Sequence, residues 1–347
     1  MNFLFSYVLF LFKTFTFFIL FFFIIFLFFN IIRRKNQEQH QFSIISLNEY
    51  YESIKNKIIF SALSKYEKKI WKKNQKKSKK HKFSTMLKLI KKENNLNCTV
   101  REKRPILYVL DFKGSINAIE VESLRQEISA IILAFKKNDE VLIRLESGGG
   151  VVHGYGLAAA QLNRLREKNI HLTISVDKIA ASGGYMMACV ANYIIGTPFS
   201  VIGSIGVVAQ IPNFYKFLKR NDIDVELHTA GKYKRTLTTF GKNTPEARDK
   251  FCLELNDTHK LFKEFVSNMR PSLNIEEVSN GEYWFGSIAL QKGLIDKIET
   301  SDDFIMSKIK DFIILKIKYN HKKTFLSSFL FKMKCRIKNA IFKVLNI

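Results

Sequence analysis

The residues best placed to do chemistry are in Ala180-Ala181-Ser182-Gly183-Gly184-Tyr185-Met186, where one serine opens a predicted helix after the β-rich run 170–176. A serine hydroxyl attacks a carbonyl only if a base takes its proton and hydrogen-bond donors receive the oxyanion. Glycines after the serine let backbone N–H groups come close, and a helix N-terminus adds favourable partial charge. Gly148-Gly149-Gly150 follows the strand-like run 140–145, at the end of a βα unit where ligand sites of parallel sheets lie. Gly231-Lys232-Tyr233-Lys234-Arg235 carries candidate lysine bases. Together the three stretches suggest a serine–lysine hydrolase.

Each piece has a plainer alternative. Ser182 can be an ordinary helix N-cap, and the triple glycine an ordinary tight turn. His153 and His228 could build a triad with Asp177 or Asp224, although no GxSxG elbow surrounds Ser182. A lysine is a base only where burial or nearby positive charge lowers its pKa from ~10.4. Lys234 sits in a segment with few acids, which suits an unpaired amine as well as a surface basic cluster with Lys232 and Arg235. Ser204, flanked by Gly203 and Gly206, could orient such an amine or be a turn serine. Neither GxGxxG nor GxxxxGK[ST] occurs, so a phosphate-binding reading is weak.

The elements that must position these groups read as alternating strands and helices. Strands are predicted at 106–110, 141–145 and 170–176. Helices are predicted at 121–135 (Val121, Leu124, Ile128, Ile131 and Phe135 share one face), 155–168, 245–269 and 283–292, the last closed by Gly293. This alternation predicts an α/β domain with a parallel sheet covered by helices. Cys98, Cys189, Cys252 and Cys335 form no CxxC pair, so neither a disulfide framework nor a metal site is expected. Cys189 reads as a core residue.

Upstream, Thr14–Ile32 is uncharged and closed by Arg33-Arg34-Lys35. Its 19 residues cover ~28 Å in a helix, long for a signal-peptide core, so an uncleaved transmembrane anchor in the lipid bilayer is expected. Of the net charge of +25 in the 347 residues, about half lies between Lys65 and Lys92, with 13 lysines and one acid. Few aromatics interleave with them, so a solvated arm or anionic-lipid contact is expected rather than nucleic acid. The organisation expected is an anchor at 1–35, a polar connector at 36–103, a catalytic domain at 104–310 and a basic amphipathic tail at 311–347.

ESGGG, AASGGYMMA, IGSIGVV and GKYKR, in this order and at these intervals, resemble the signal peptide peptidase A family of serine proteases. The similarity spans Val109 to Ile298. It is closest to the SohB branch of bacterial inner-membrane proteases, which also carries an N-terminal anchor and the DFKGS and HGYGLAAAQL segments, here 111–115 and 153–162. The resemblance implies a crotonase/Clp-protease-like ββα superhelix, with Ser182 as nucleophile, Lys234 as base and Ser204 holding its amine. It further implies the Gly149 N–H as an oxyanion donor, with Gly183 as a second. It also implies peptide substrates, a homo-oligomeric ring, no cofactor and the bacterial inner membrane. Where the family often has proline, this chain has Gly148. Positive-inside reasoning puts the domain in the cytoplasm, whereas the family's best-known relatives work on the other face. A crotonase-type acyl-CoA enzyme would instead need a carboxylate beside the glycine loops, and an inactive scaffold would need none of the Ser182, Ser204 and Lys234 set.

Overall fold

A computed structural model describes residues 2–35, 42–77, 84 and 104–320. The chain divides into two units, Met1–Ser43 with Asn320–Ile347, and Ile44–Tyr319.

In the first unit, Asn2–Lys35 is one helix. Its stretch Tyr7–Leu27 has a mean hydropathy of 2.6, and among the described residues this is the one helix long and apolar enough to cross a membrane. Phe10, Phe17, Phe18, Phe22 and Phe26 are exposed, as lipid-facing side chains would be. Thr14 and Thr16 turn their hydroxyls back to the carbonyls of Phe10 and Leu11, and of Phe12 and Lys13, at 2.9–3.1 Å, which satisfies both within the helix.

The second unit is built on a seven-stranded sheet with order β1-β10-β2-β3-β4-β6-β9 and a three-stranded sheet with order β5-β7-β8. The strands are β1 Phe42–Ser46, β2 Ile106–Lys113, β3 Glu140–Glu146, β4 His171–Val176, β5 Ile179–Ala181, β6 Tyr193–Gly196, β7 Val201–Gly203, β8 Tyr283–Phe285, β9 Lys297–Ile298 and β10 Ile313–Tyr319. From β10 through β2, β3, β4 and β6 to β9 the large-sheet pairs are parallel. Parallel strands buried on both faces read as continuous apolar runs, and Leu107, Val109, Leu142, Ile143, Leu172, Ile174, Ile194 and Ile195 are fully buried.

The small sheet explains the superhelix. β4 is followed by β5, then by the helix Gly183–Ala188, and the next turn repeats this with β6 beside β4 and β7 beside β5. The preceding turn does the same in shorter form: Ser147, just past β3, bridges to Ala180 of β5 before the helix Val152–Glu167. Each ββα turn thus leaves its short strand, and the loop after it, on the same edge. This is the ββα superhelix expected, and it stacks the Ser147, Ser182 and Ser204 loops.

Both domain boundaries move outward from the expected 104–310. Leu47 is buried in one cluster with Leu107, Val109, Phe304, Ile305, Phe312 and Ile314. Next to it, Asn48 donates to the carbonyls of Ile309 and Phe312 and accepts from Ile314 N–H, so β1 and the helix Leu47–Ala62 belong to the domain, not to a connector. At the other end, β10 lies inside the sheet between β1 and β2, in what was expected to be tail. The remaining tail, and most of the lysine-rich run beyond 77, lie outside the described residues. Predicted helix 283–292 divides into β8 and the helix Gly286–Gln291, because Trp284 pairs with Ile202 across the small sheet.

The helix Val121–Ala134 buries Glu127 with Leu124, Ile128 and Ile131, its carboxylate accepting Tyr319 N–H at 2.7 Å. Burial pushes Glu127 from an ordinary 4.5 to about 7, against the opposing Tyr319 bond and with Asp111 adding to the rise. The folded state therefore holds this proton more tightly than the unfolded chain does. Its stabilisation is complete below about pH 4.5 and is lost as pH rises through about 7, by up to ~3 kcal/mol. Urea midpoints in detergent should fall between about pH 5 and pH 8, and Glu127→Gln should flatten this part of the profile. A wild-type profile matching that of Glu127→Gln would refute it.

Candidate active site

Ser182 occupies the turn between β5 and the helix Gly183–Ala188, with φ +52° and ψ −120°. A non-glycine residue at positive φ is strained, and such strain concentrates where side-chain aim matters. The Ser182 side chain makes no capping hydrogen bond, so it does not play the N-cap role. Its backbone N–H donates to Gly203 O at 2.8 Å, which continues the β5–β7 pairing one residue further. Ser204, next along β7, also has positive φ (+49°), and its N–H donates to Glu282 O at 2.6 Å. Ser182 and Ser204 thus leave the ends of neighbouring parallel strands.

The glycine loop is sewn to the same edge. Ser147 N–H donates to Ile179 O and Ala181 N–H to Ser147 O, at 2.9 and 3.0 Å. Gly149 has φ +86°, and a β carbon there would lie 2.7 Å from Gly183 N and 2.8 Å from Ser182 Cβ. The Gly149 peptide therefore touches the backbone that carries Ser182. Gly183 N–H has no hydrogen-bond partner among the described residues. The Gly149 N–H, expected to face a substrate oxygen, donates instead to Ser147 Oγ at 3.1 Å. That correction singles out Ser147, which the sequence reading passed over. The signal for it was a serine at the head of the glycine loop.

The two neighbouring glycines differ in what a methyl group would meet. At Gly148 a β carbon would contact only Ile179 Cδ1, at 3.7 Å, and φ is not positive. We expect Gly148→Ala to keep full peptidase activity and to gain about 0.4–1 kcal/mol by narrowing the unfolded ensemble. Gly149→Ala should lose activity about 100-fold or more, since its methyl would crowd Gly183 N–H. Parallel turnover assays and melts check the pair, and equal behaviour of the two variants would overturn it.

Lys234 is not brought to Ser182. It lies exposed in a turn where its N–H donates to Gly231 O at 3.1 Å, and no hydrogen bond joins it to Ser182 or Ser204 among the described residues. Its neighbour Lys232 sits over the Tyr233 ring, 5.2 Å from the centroid. The segment 208–235 is exposed almost throughout, including Val208, Phe217, Val225 and Tyr233. It is tied to the residues that follow it: Asn213 donates to the carbonyls of Thr238 and Gly241, and the Phe214 and Phe240 rings stack.

The histidine triads find no geometry. His153 is exposed, and His228 is exposed and paired with Glu226. Asp177 accepts from Ser301 N–H and Oγ, and Asp224 pairs with Lys219. The histidine that does approach is His259, with Nε2 3.3 Å from Ile205 O, one residue past Ser204. The nearest neighbours of Gly149, Gly150 and Gly183 are backbone atoms, Ser182 and Tyr155, with no carboxylate among them, which disfavours a crotonase-type reading. Among the described residues no His, Cys, Asp and Glu group could hold a metal ion.

Comparison with known proteins places the chain in a family. Residues 2–162 match the model of the peptidase family S49 N-terminal region, and residues 164–312 match that of peptidase family S49. A probable protease SohB of Buchnera aphidicola subsp. Schlechtendalia chinensis is 65% identical over 308 residues, covering 89% of this chain and 100% of the relative. A putative protease SohB of Buchnera aphidicola subsp. Baizongia pistaciae is 58% identical over 350 residues, covering 100% and 99%. A probable protease SohB of Haemophilus influenzae is 56% identical over 228 residues, covering 66% and 65%. The chain belongs to peptidase family S49 and is a serine-type peptidase.

Proposed function

We propose that this peptidase is a membrane-anchored endopeptidase working through a Ser182–Lys234 dyad on extended, apolar peptides such as signal-peptide remnants or membrane-protein fragments. The observation that carries the reading is Ser182 itself: a strained, uncapped serine between two neighbouring glycine peptides, one with an unpartnered N–H. In the reaction Lys234 Nζ takes the Ser182 hydroxyl proton while Oγ bonds to the peptide carbonyl carbon. The oxyanion that forms is received by Gly183 N–H, against which the Gly149 peptide packs. Collapse breaks the C–N bond, Lys234 returns the proton to the leaving amine, and an acyl-enzyme remains. Water then attacks with the same lysine as base, restoring Ser182.

Lys234 is exposed in the isolated chain, so the base is made by covering it. The exposed apolar side chains of its segment fit contact with a second copy of the chain, which would bury the lysine together with Val208, Phe217 and Tyr233. Ser204 then has the position to hold the amine, since its loop adjoins that of Ser182. The helix Asn2–Lys35 holds the assembly at the inner membrane, where apolar peptides concentrate. Labelling the detergent-solubilised chain with a peptidyl diphenyl phosphonate and mapping the modified peptide tests this reading. The label is expected on the fragment containing Ser182, and a label on any other residue refutes it.

A further inference from the structure

We infer that Ser147 and Tyr155 are positioning residues that lock the Gly148–Gly150 loop against Ser182. The inference rests on the reading of Ser182 as nucleophile and adds two side chains to it. Tyr155 is fully buried on the first turn of the helix Val152–Glu167, and Ser147 is buried just past β3. Tyr155 Oη donates its one hydrogen to Ser115 O at 2.8 Å. It must then accept from Ser147 Oγ, 2.5 Å away, and Ser147 Oγ in turn accepts Gly149 N–H at 3.1 Å. The chain of bonds therefore has one direction, from the Gly149 amide through two hydroxyls to the Ser115 carbonyl. Directed chains of this kind polarise one another and hold a single geometry. Burial also pushes the Tyr155 phenol up, keeping it a neutral donor.

The same tyrosine reaches the other side of the serine. A β carbon on Gly183 would lie 2.5 Å from Tyr155 Cγ, so the ring packs directly beneath the residue after Ser182. Gly114 makes room for the pair: a β carbon there would collide with Tyr155 Oη and lie 2.7 Å from Ser147 Oγ. Gly184 likewise abuts the Ser147 carbonyl. One buried phenol and one buried hydroxyl thus set the spacing between the two glycine peptides that flank Ser182. None of these atoms has a path to substrate except through the glycines, so their effect falls on the transition state and not on peptide binding.

The test uses Tyr155→Phe, Ser147→Ala and the double variant in the full-length chain, with an internally quenched leucine-rich peptide as substrate. Tyr155→Phe keeps the ring under Gly183 and removes only the hydroxyl. Each single variant is expected to lower kcat by about 10- to 100-fold, short of the 10²–10³ that loss of an oxyanion donor costs, with KM within about twofold of wild type. The double variant should be no slower than the slower single, because both cut one chain of bonds. If Ser147→Ala does not fold, Tyr155→Phe decides alone. Unchanged or increased kcat, a rise in KM at constant kcat, or additive losses would overturn the inference. Phosphonate labelling of the wild type runs alongside. A label at Ser182 with fully active variants sinks this inference only, whereas a label elsewhere sinks the reading beneath it as well.

Discussion

Ser182→Ala is expected to lose peptide hydrolysis by at least about 10⁴-fold while keeping its fold and its place in the membrane. The size follows from the chemistry: without Oγ there is no acyl-enzyme, and what remains is whatever the glycine peptides do for direct attack by water. The fold should hold, because the Ser182 side chain makes no capping hydrogen bond, while its backbone bond to Gly203 O survives the substitution. Alanine must still adopt φ +52°, which costs of order 1–2 kcal/mol, no more than serine already bears. Turnover of the quenched peptide, a thermal melt and membrane fractionation form one experiment. Near-wild-type turnover from a folded Ser182→Ala protein would end the assignment. A melt lowered by many degrees would instead mean that the serine is structural.

How much of this was legible in the sequence depends on whether the deciding contacts are local. The helix Pro245–Met269 was readable to the residue, since Thr244 caps it, Pro245 fits its first turn and its apolar positions repeat at helical spacing. Strands β2, β3 and β4 were readable as apolar runs of strand length. β10 was not, because Lys316 and Lys318 break its apolar run and it merges with a lysine-rich tail. Its lysine pattern makes sense only once Lys316 is seen paired with Asp111 of β2. The segment Phe42–Ala62 failed for the same reason, since Asn48 earns its place by bonds to residues some 260 positions away. At the site, Ser182, Ser204 and Gly149 were visible as glycine-flanked residues, and the superhelix brings all three together. Ser147 and Tyr155 are an unremarkable serine and an apolar-face tyrosine until the fold places one hydroxyl on the other.

Lys234 poses the opposite problem, because its motif is legible and its chemistry is absent from the isolated chain. The second large effect follows: Lys234→Arg should be nearly inactive, about 10³-fold down or more, although it preserves the charge. A guanidinium stays protonated at any workable pH and cannot take the Ser182 proton, whereas a covered lysine can. Lys232→Arg should remain close to wild type, since its amine already rests over the Tyr233 ring and arginine stacks there at least as well. His153→Ala and His259→Ala separate the mechanisms further. A histidine base predicts an active Lys234→Arg enzyme and a dead histidine variant, and His259 is the stronger rival because its ring reaches the Ser204 loop. Four variants against one peptide therefore decide the base. An active Lys234→Arg enzyme would refute the dyad while leaving Ser182 standing.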